Sequence, residues 1–281
     1  MDEQNMDILE RIHASYYQLT ATERKVADFV LAQHDQVQFM SITQLAEVCG
    51  TAEATISRFC RNLKLKGFNA FKIELARHSA PPTKSQEQPA DSLMGRSLEV
   101  GRLASDAVYQ TIELVEPTQV RKAVEFFEDA SRVLCFGSGG SMLMAQEFAH
   151  LFSTVTSKFT AISDSHTQIS TAATMHREDV LVLFSYSGAT TTGIQLLELA
   201  KKRGIRTILV TRFNKSPAAN LADVILRCGS NEGPFQFGSV PAKVAQLIVM
   251  DVLFQEYRHR NWDICEDHIQ SIASALSDMH I

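Results

Sequence analysis

The sequence has few of the features that mark secreted, metal-binding or membrane-spanning proteins. Its five cysteines are odd in number, lie far apart and form no C-x-x-C pair, which argues against a disulfide framework and a zinc site. No apolar run approaches the roughly 20 residues that a membrane span needs, and no basic start leads into an apolar stretch. We therefore expect a soluble cytoplasmic protein, without a metal ion and without membrane contact.

The length of 281 residues favours two domains, because one domain per roughly 100 to 200 residues is usual. A polar stretch at 79–92 holds three of the seven prolines, a composition typical of an extended linker. Apolar residues repeat with a helical period before this stretch, whereas short apolar runs alternate with helical patterns beyond about residue 132. We predict an all-α domain at 1–78 joined to an α/β domain at 93–281, the latter starting with two helices.

Helix starts are legible in the N-terminal domain. The segments T-A-T-E at 20–23 and S-I-T-Q at 41–44 match the capping box, in which a hydroxyl accepts from an early backbone N–H and a later side chain reaches back. The helix after the second box ends at Gly50, which suits a left-handed turn position, and Thr51 is the expected N-cap of the next helix. That next helix has its apolar positions at Ile56, Phe59, Cys60 and Leu63. This layout predicts a helix-turn-helix motif.

The opposite face of that last helix is polar and basic. The stretch 51–78 holds six basic and two acidic residues, a local net charge of +4, whereas residues 1–50 hold three basic and eight acidic residues. Arginine is the commonest reader of guanine, and serine and threonine contact phosphates or bases. Spacing alone also fits an exposed helix of an all-α domain, but the basic face and the glycine turn favour a recognition helix. The predicted DNA-binding residues are Thr51, Glu53, Ala54, Thr55, Ser57, Arg58 and Arg61.

Four motifs occur together in this domain. They are T-E-R-K-V-A at 22–27, S-I-T-Q-L-A at 41–46, T-I-S-R-F-C at 55–60 and L-K-G-F at 65–68. With them, the segment 19–77 resembles the N-terminal domain of RpiR-type bacterial transcription regulators. The resemblance implies DNA binding by the second helix of the motif, in a symmetric oligomer on a palindromic site.

Five short apolar runs in the C-terminal domain predict β-strands. They are R-V-L-C-F at 132–136, K-F-T-A-I at 158–162, D-V-L-V-L-F-S at 179–185, I-R-T-I-L-V-T at 205–211 and D-V-I-L-R at 223–227. Because helical patterns lie between them, we predict a five-stranded parallel sheet flanked by helices. A ligand of such a sheet binds outside the carboxyl ends of the strands.

Two loops of small residues follow strands at that edge. G-S-G-G-S at 137–141 precedes a helix expected to begin near Met142, and S-Y-S-G-A-T lies at 185–190. Free backbone N–H groups and the positive end of a helix favour an anion there. Neither loop contains lysine, which argues against a Walker-type P-loop and nucleoside triphosphate hydrolysis. One hydroxyl would suffice as a helix cap, but three follow the third strand and are able to surround a phosphate: Ser185, Ser187 and Thr190.

A dinucleotide is the alternative ligand for the first loop. G-S-G-G-S-M begins like the dinucleotide-binding fingerprint, and Asp164 near the end of the second predicted strand is placed like an acid that binds ribose. Met142, however, stands where the third glycine or alanine is expected. A dinucleotide also leaves the hydroxyl loop after the third strand unexplained.

Together the two loops resemble the sugar isomerase (SIS) domain, whose S-x-S-G-x-T turn holds the phosphate of a phosphosugar. The resemblance covers about 119–257, the implied core of the second domain. It also implies that Glu232, in S-N-E-G, lies at the ligand site. Lys243 stands where many relatives have arginine, and the two side chains recognise anions differently. The implied ligand-binding residues are Ser138, Gly140, Ser141, Ser185, Tyr186, Ser187, Thr190 and Glu232.

The choice between an enzyme and a sensor depends on Glu232 and His166. Aldose–ketose isomerisation needs a base beside the carbonyl and a group that assists ring opening, and these two residues could fill those roles. We favour the simpler interpretations, in which Glu232 accepts hydrogen bonds from sugar hydroxyls and His166 is a helix-start or packing residue. Fusion to a DNA-binding domain favours a sensor.

We therefore predict a transcription regulator rather than an enzyme, expected to repress genes of sugar or amino-sugar metabolism. A sugar phosphate is its expected effector, with no cofactor. Its expected partners are a palindromic DNA operator and further copies of the chain, in a dimer or tetramer. Assembly is expected through the C-terminal domain, to which the segment M-D-V-L-F at 250–254 could contribute an apolar face. A phosphosugar isomerase with an accessory helical domain and a dinucleotide-responsive regulator are the alternatives.

Overall fold

The computed structural model describes residues 7–79, 92–230 and 239–277. Most of the predicted linker lies outside these ranges. Two compact units share the described residues, and the division between them falls between Gly101 and Arg102.

The first unit is helical, as predicted. Its helices are α1 (Ile8–Ser15), α2 (Ala21–Val37), α3 (Ile42–Val48), α4 (Glu53–Asn62) and α5 (Phe68–Ser79), with a 3-10 turn at Tyr16–Gln18. One apolar core joins them, in which the rings of Phe59 and Phe71 meet edge to face at a centroid distance of 5.6 Å. The predicted apolar stripe of α4 is confirmed, because Ile56, Phe59, Cys60 and Leu63 are all buried.

Two capping boxes begin helices at the places that the sequence predicts. The Thr20 hydroxyl accepts a hydrogen bond from the Glu23 N–H, and the Glu23 carboxylate accepts one from the Thr20 N–H at 2.9 Å. Ser41 and Gln44 make the same reciprocal pair at the start of α3. A side-chain cap typically contributes about 1 kcal/mol, so these boxes determine where α2 and α3 begin.

The predicted N-cap of α4 is wrong. Gly50 has the expected left-handed φ of 59°, and its N–H donates to Glu47 O at 2.9 Å. The Thr51 N–H donates back to Ala46 O at 2.8 Å. This pair of bonds is a Schellman motif, which ends α3 and uses Thr51 to do so. Helix α4 therefore has Ala52 as its N-cap, with no side-chain capping bond.

The second unit contains helices and one sheet. The remaining helices of the described residues are α6 (Leu93–Glu113), α7 (Pro117–Asp129), α8 (Gly140–Ser153), α9 (Ser165–Thr174), α10 (Thr191–Arg203), α11 (Val240–Arg260) and α12 (Trp262–Leu276). The strands are β1 (Val133–Gly137), β2 (Phe159–Ala161), β3 (Val180–Phe184), β4 (Arg206–Thr211) and β5 (Val224–Arg227). Two helices precede the sheet, as predicted. The first of them, α6, spans the division between the units, so the domain start at residue 93 stays a prediction.

All five strands are parallel, in the order β2–β1–β3–β4–β5. Each strand lies within one residue of its predicted bounds at either end. Side chains of alternate residues in β1 enter two separate cores, Val133 and Cys135 on one face of the sheet and Leu134 and Phe136 on the other. The predicted parallel sheet with helices on both faces is therefore confirmed.

The segment M-D-V-L-F at 250–254 lies inside this unit. Met250, Leu253 and Phe254 are buried on α11, and the Phe254 ring meets Phe152 of α8 edge to face. The prediction that this segment offers an apolar face for assembly is therefore wrong. Its apolar side chains form the contact between α11 and the rest of the core.

The described residues hold no disulfide and no cluster of metal ligands. All five cysteines are free and buried, and burial raises the pKa of the Cys60 thiol to about 12. No group of three or more histidine, cysteine, aspartate or glutamate side chains in 7–79, 92–230 and 239–277 is placed to hold a metal ion. The helices in these ranges include none that is long and apolar enough to cross a membrane.

Candidate functional site

The two predicted ligand loops lie side by side at the carboxyl edge of the sheet. Strands β1 and β3 are neighbours, with Gly137 opposite Phe184, so the residues that follow each strand emerge next to each other. The strand order reverses between β1 and β3, because β2 lies beyond β1 and β4 lies beyond β3. Ligands of open α/β sheets bind at such a point.

The loop after β3 brings the three predicted hydroxyls into one turn. Ser185 Oγ and Thr190 Oγ1 are 3.3 Å apart, and Ser187 Oγ accepts from the Ala189 N–H at 3.3 Å. Thr190 occupies the N-cap position of α10, yet its side chain makes no capping bond. Ordinary helix capping therefore does not account for these hydroxyls. Ser185 is buried, Ser187 is partly exposed and Thr190 is exposed.

Gly188 shapes this turn. It has a left-handed φ of 60°, and its N–H closes the turn on Ser185 O at 3.0 Å. A Cβ at this position would lie 2.1 Å from Ser216 Oγ, so a side chain here would force the loop to move. Ser216 is itself held in place, because its hydroxyl accepts from the Ala219 N–H at 3.2 Å.

Tyr186, in the same loop, uses its hydroxyl inside the protein. The hydroxyl donates to Ser230 O at 2.6 Å and lies 3.0 Å from Ser230 Oγ. The ring meets Phe213 edge to face. The side chain therefore supports the segment that follows β5, and a contact between Tyr186 and a ligand stays a prediction.

The loop after β1 is shorter than predicted. Helix α8 begins at Gly140 rather than near Met142, with Gly139 as its N-cap at a φ of 56°. Because Gly139 tolerates this positive φ, the chain turns from strand into helix within two residues, and Gly140 and Ser141 belong to the first helical turn. No side chain caps α8, and the exposed Ser138 lies just before it. The Ser141 and Met142 N–H groups donate to Ser138 O at 3.1 Å and to Gly139 O at 3.0 Å, so an anion at this terminus would be bound through the Gly140 N–H and the positive end of the helix.

Sequence reasoning missed Gln168, which fastens the base of this loop. The residue is 1% exposed, and its Nε2 donates to Gly137 O at 2.9 Å and to Ile162 O at 2.7 Å. It therefore ties the end of β1 to the segment after β2. A single glutamine on a helix gives no signal in the sequence, because its contacts depend on the assembled fold.

Asp164, the acid that the dinucleotide alternative requires, caps a helix. It is the N-cap residue of α9, and its Oδ1 accepts from the Thr167 N–H and the Thr167 hydroxyl, both at 2.8 Å. These hydrogen bonds hold the pKa of the Asp164 carboxyl below its usual range. Strand β2 ends earlier, at Ala161. The geometry therefore weakens the dinucleotide alternative. His166 is exposed in the first turn of α9.

Two more residues singled out from the sequence lie after β5. Glu232 falls outside the described residues, so both its catalytic and its sugar-binding role stay predictions. Lys243 lies at the start of α11 and is partly buried.

Helix α4 presents a polar face beside its apolar stripe. The predicted DNA-binding residues of this helix that are exposed or partly exposed are Glu53, Ala54, Ser57, Arg58 and Arg61. Thr55 is buried, because it shares the inward face with Phe59 one turn later. Its expected place beside the exposed residues is therefore wrong.

Thr51 and Glu53, at the start of this region, are both partly exposed but differ in their side-chain contacts. Thr51 Oγ1 is buried and makes no hydrogen bond to any described residue. The Glu53 carboxylate accepts a hydrogen bond from the Thr43 hydroxyl. This bond links α4 to α3, so Glu53 stabilises the angle between the two helices.

Arg58 is paired with a buried carboxylate. Its Nε donates to Glu23 Oε1 at 3.0 Å, and Asn62 Nδ2 donates to the same oxygen at 2.9 Å. The Glu23 side chain is 1% exposed, whereas that of Arg58 is 54% exposed. Burial pushes the pKa of Glu23 up, but hydrogen bonds from Thr20 and Arg58 outweigh it and hold this pKa below its usual range. Arg58 therefore stabilises the packing of α4 on α2 while part of its side chain stays open to solvent.

Both units match families of known proteins. The chain matches the models "Helix-turn-helix domain, rpiR family" over residues 6–82 and "SIS domain" over residues 126–255. An HTH-type transcriptional regulator of Caldanaerobacter subterraneus is 30% identical over 274 residues, which cover 96% of this chain and 97% of that protein. The HTH-type transcriptional regulator HexR of Escherichia coli is 26% identical over 97% of this chain and 95% of its own length.

A solved structure with the same architecture is that of the NanR protein of Vibrio vulnificus, complexed with ManNAc-6P. It is 27% identical to this chain, with a TM-score of 0.88 over 98% of this chain and 100% of that one. The likeness covers the helical unit as well as the α/β unit.

Proposed function

This chain belongs to the RpiR family of HTH-type transcriptional regulators, and we propose on that premise that it regulates transcription in response to a sugar phosphate. Its SIS domain serves as an effector-binding module rather than a catalytic one. In this proposal α4 contacts DNA through its exposed face, with Arg58 and Arg61. The loops after β1 and β3 hold the phosphate.

The observation that carries the phosphate site is the grouping of donors at the carboxyl edge of the sheet. The hydroxyls of Ser185, Ser187 and Thr190 gather in one turn, beside the uncapped N-terminus of α8. Hydroxyls and backbone N–H groups bind a phosphate through hydrogen bonds without neutralising its charge. Such a site suits an effector that has to be released again.

An amino-sugar phosphate is the first effector class to test. The V. vulnificus NanR structure holds ManNAc-6P, and its likeness to this chain extends over both units. We propose a hexose or amino-sugar 6-phosphate as the effector class.

We further propose that the protein acts in the cytoplasm as a repressor, in a homo-oligomer on a palindromic operator. Helix-turn-helix proteins bind half-sites that mirror their own two-fold symmetry. Closed symmetric oligomers are the commonest form of soluble assemblies. Because the M-D-V-L-F segment is buried, the assembly has to use another surface.

A thermal-shift screen tests the effector proposal. A ligand at 100 times its dissociation constant adds roughly 2.7 kcal/mol to the stability of the domain that binds it. We expect a higher Tm with ManNAc-6P or another sugar 6-phosphate, and no change with the unphosphorylated sugars. A shift with nicotinamide dinucleotides alone would contradict the proposal and support the dinucleotide alternative.

Ser187→Ala locates the site within the same screen. A hydrogen bond to a charged group contributes about 1.5–3 kcal/mol, so we expect the dissociation constant to rise about 10- to 100-fold. Ser153→Ala, at the exposed C-terminal end of α8, is the matched control and should bind like the wild type. If the two variants bind the sugar phosphate equally well, the proposal that the loop after β3 holds the phosphate is wrong.

A further inference from the structure

Helix α6 is attached to the segment after β5 by a buried hydrogen bond. Thr111 is fully buried, and its hydroxyl donates to Ala107 O at 2.6 Å and accepts from the Gly229 N–H at 3.0 Å. The bond to Ala107, one turn earlier, is the usual one for a threonine inside a helix. The bond to Gly229 spans 118 positions of sequence and fixes α6 to the C-terminal part of the chain.

Gly229 runs directly against the backbone of α6. A Cβ at this position would lie 2.6 Å from the carbonyl carbon of Gln110 and 2.7 Å from the Thr111 nitrogen. Both are backbone atoms, which cannot move aside as the end of a flexible side chain can. Only glycine therefore fits at this contact, and any displacement of Gly229 towards α6 has to move the helix.

The next residue connects this contact to the proposed phosphate loop. Ser230 is buried, and its carbonyl accepts from the Tyr186 hydroxyl at 2.6 Å. Tyr186 stands between Ser185 and Ser187 in the chain. A continuous set of contacts therefore leads from the loop after β3, through Ser230 and Gly229, to Thr111.

Helix α6 itself belongs to both units. It is one helix from Leu93 to Glu113, and the division between the units falls inside it, between Gly101 and Arg102. Thr111 lies near its C-terminal end, in the unit that holds the ligand loops. Because successive turns of a helix are joined by hydrogen bonds, a displacement at Thr111 moves α6 as one element as far as Leu93, which lies on the side of the chain that leads to the helix-turn-helix motif.

We propose that the contact between Thr111 and Gly229 couples effector binding to DNA binding, an inference that rests on the proposed function. A sugar phosphate in the loop after β3 shifts Tyr186, which moves Ser230 and Gly229, and α6 follows. A buried N–H without a partner is costly, so Gly229 and Thr111 are expected to move together rather than separate. Each ligand then changes the affinity for the other by the same factor.

Thr111→Val tests the coupling in the full-length protein, because valine keeps the size of the side chain and removes both hydrogen bonds. The DNA is a duplex selected from random sequences by the wild type. The effector is the sugar 6-phosphate with the largest thermal shift, starting with ManNAc-6P. We expect the effector to change wild-type DNA affinity by about 5- to 150-fold. Thr111→Val should still bind the DNA duplex and the sugar phosphate, but the sugar phosphate should no longer change its affinity for DNA.

Two controls separate the coupling from a general loss of stability. Thr111→Ser keeps the hydroxyl and should keep the response. Thr207→Val is the matched control, because Thr207 is also buried and its hydroxyl donates to the Asp223 carboxylate at 2.8 Å and accepts from the Asp223 N–H at 3.0 Å. Thr207 lies near the start of β4, at the amino ends of the strands, whereas the proposed ligand loops follow the carboxyl ends. The DNA affinity of Thr207→Val should therefore change with the effector as that of the wild type does.

Amide hydrogen exchange on the wild type decides the question if Thr111→Val does not fold. We expect the effector to change the exchange rate of the Gly229 amide and of the last turns of α6. If the effector does not change exchange at the Gly229 amide and in the last turns of α6, or if it changes the DNA affinity of Thr111→Val as much as that of the wild type, the proposed coupling is wrong. Either result leaves the proposed function standing. If no sugar phosphate binds the wild type or alters its DNA affinity, the proposed function itself fails.

Discussion

At the scale of single residues, two glycines with similar positive φ values meet different surroundings. Gly139 and Gly188 have φ values of 56° and 60°. A Cβ at Gly139 would meet no atom within 4 Å, whereas a Cβ at Gly188 would lie 2.1 Å from Ser216 Oγ. The sequence shows glycine at both places, but only the fold shows that Gly188 is needed for space as well as for its φ.

Gly188→Ala should therefore disrupt the proposed phosphate loop more than Gly139→Ala disrupts the loop after β1. A non-glycine residue held at such a sparsely populated positive φ costs about 1–3 kcal/mol in either variant. Overpacking against Ser216 adds about 1–3 kcal/mol in Gly188→Ala only. Thermal unfolding measures the difference, and sugar-phosphate binding should weaken in Gly188→Ala. Equal Tm values for the two variants would contradict the close approach to Ser216.

A second residue-scale prediction concerns Glu23, whose pKa in the folded chain lies below its usual value of 4.5. Its ionised carboxylate contributes stability that is fully present above about pH 4.5 and is lost as the pH falls through the lower folded-state pKa. We expect Glu23→Gln to lower the Tm at pH 7, and this deficit to shrink across that acid range. Circular dichroism melts measure it, with exposed Glu113→Gln as control. A deficit that does not change with pH would contradict the assigned pKa direction.

At the scale of elements, local patterns predicted most of the fold. The strands were found because a parallel strand covered on both faces is apolar throughout. The capping boxes at Thr20 and Ser41 were found because all their partners lie within one turn. The start of α8 was missed because the sequence does not show which glycine takes the positive φ. Thr51 was misassigned because the end of α3 and the start of α4 compete for it.

Contacts between distant elements could not be predicted from the sequence. The pair Arg58–Glu23 joins residues 35 positions apart, and Gln168 contacts Gly137 across 31 positions. M-D-V-L-F at 250–254 suggested a surface, but α11 is covered along much of its length, so its apolar run became core. In each case the outcome depends on which elements pack together.

At the scale of elements, the exposed face of α4 is predicted to contact DNA through Arg61. Arg61→Ala should weaken DNA binding by about 1–3 kcal/mol if Arg61 contacts a base edge, and should leave sugar-phosphate affinity unchanged. Arg121→Ala, an exposed arginine of α7, is the control. Arg61 is the better test than Arg58, because Arg58→Ala also removes a partner of the buried Glu23. Wild-type DNA binding by Arg61→Ala would exclude Arg61 from the DNA contact.

At the scale of the whole molecule, the protein combines a helix-turn-helix unit with an SIS domain, the combination of an RpiR-family regulator. The two proposed ligand loops lie at the strand-order reversal of the sheet, where an α/β fold offers backbone N–H groups and hydroxyls. Regulation requires that the two units influence each other. The coupling that we propose uses α6 and its contact with Gly229.

The measurement that tests this function most directly is the DNA affinity of the full-length wild type as a function of sugar-phosphate concentration. Fluorescence anisotropy with a labelled duplex, selected from random sequences, gives the dissociation constant at each concentration. We expect it to change by about 5- to 150-fold with a sugar 6-phosphate and not with the unphosphorylated sugar. A DNA affinity that no sugar phosphate alters would contradict a phosphosugar-responsive regulator.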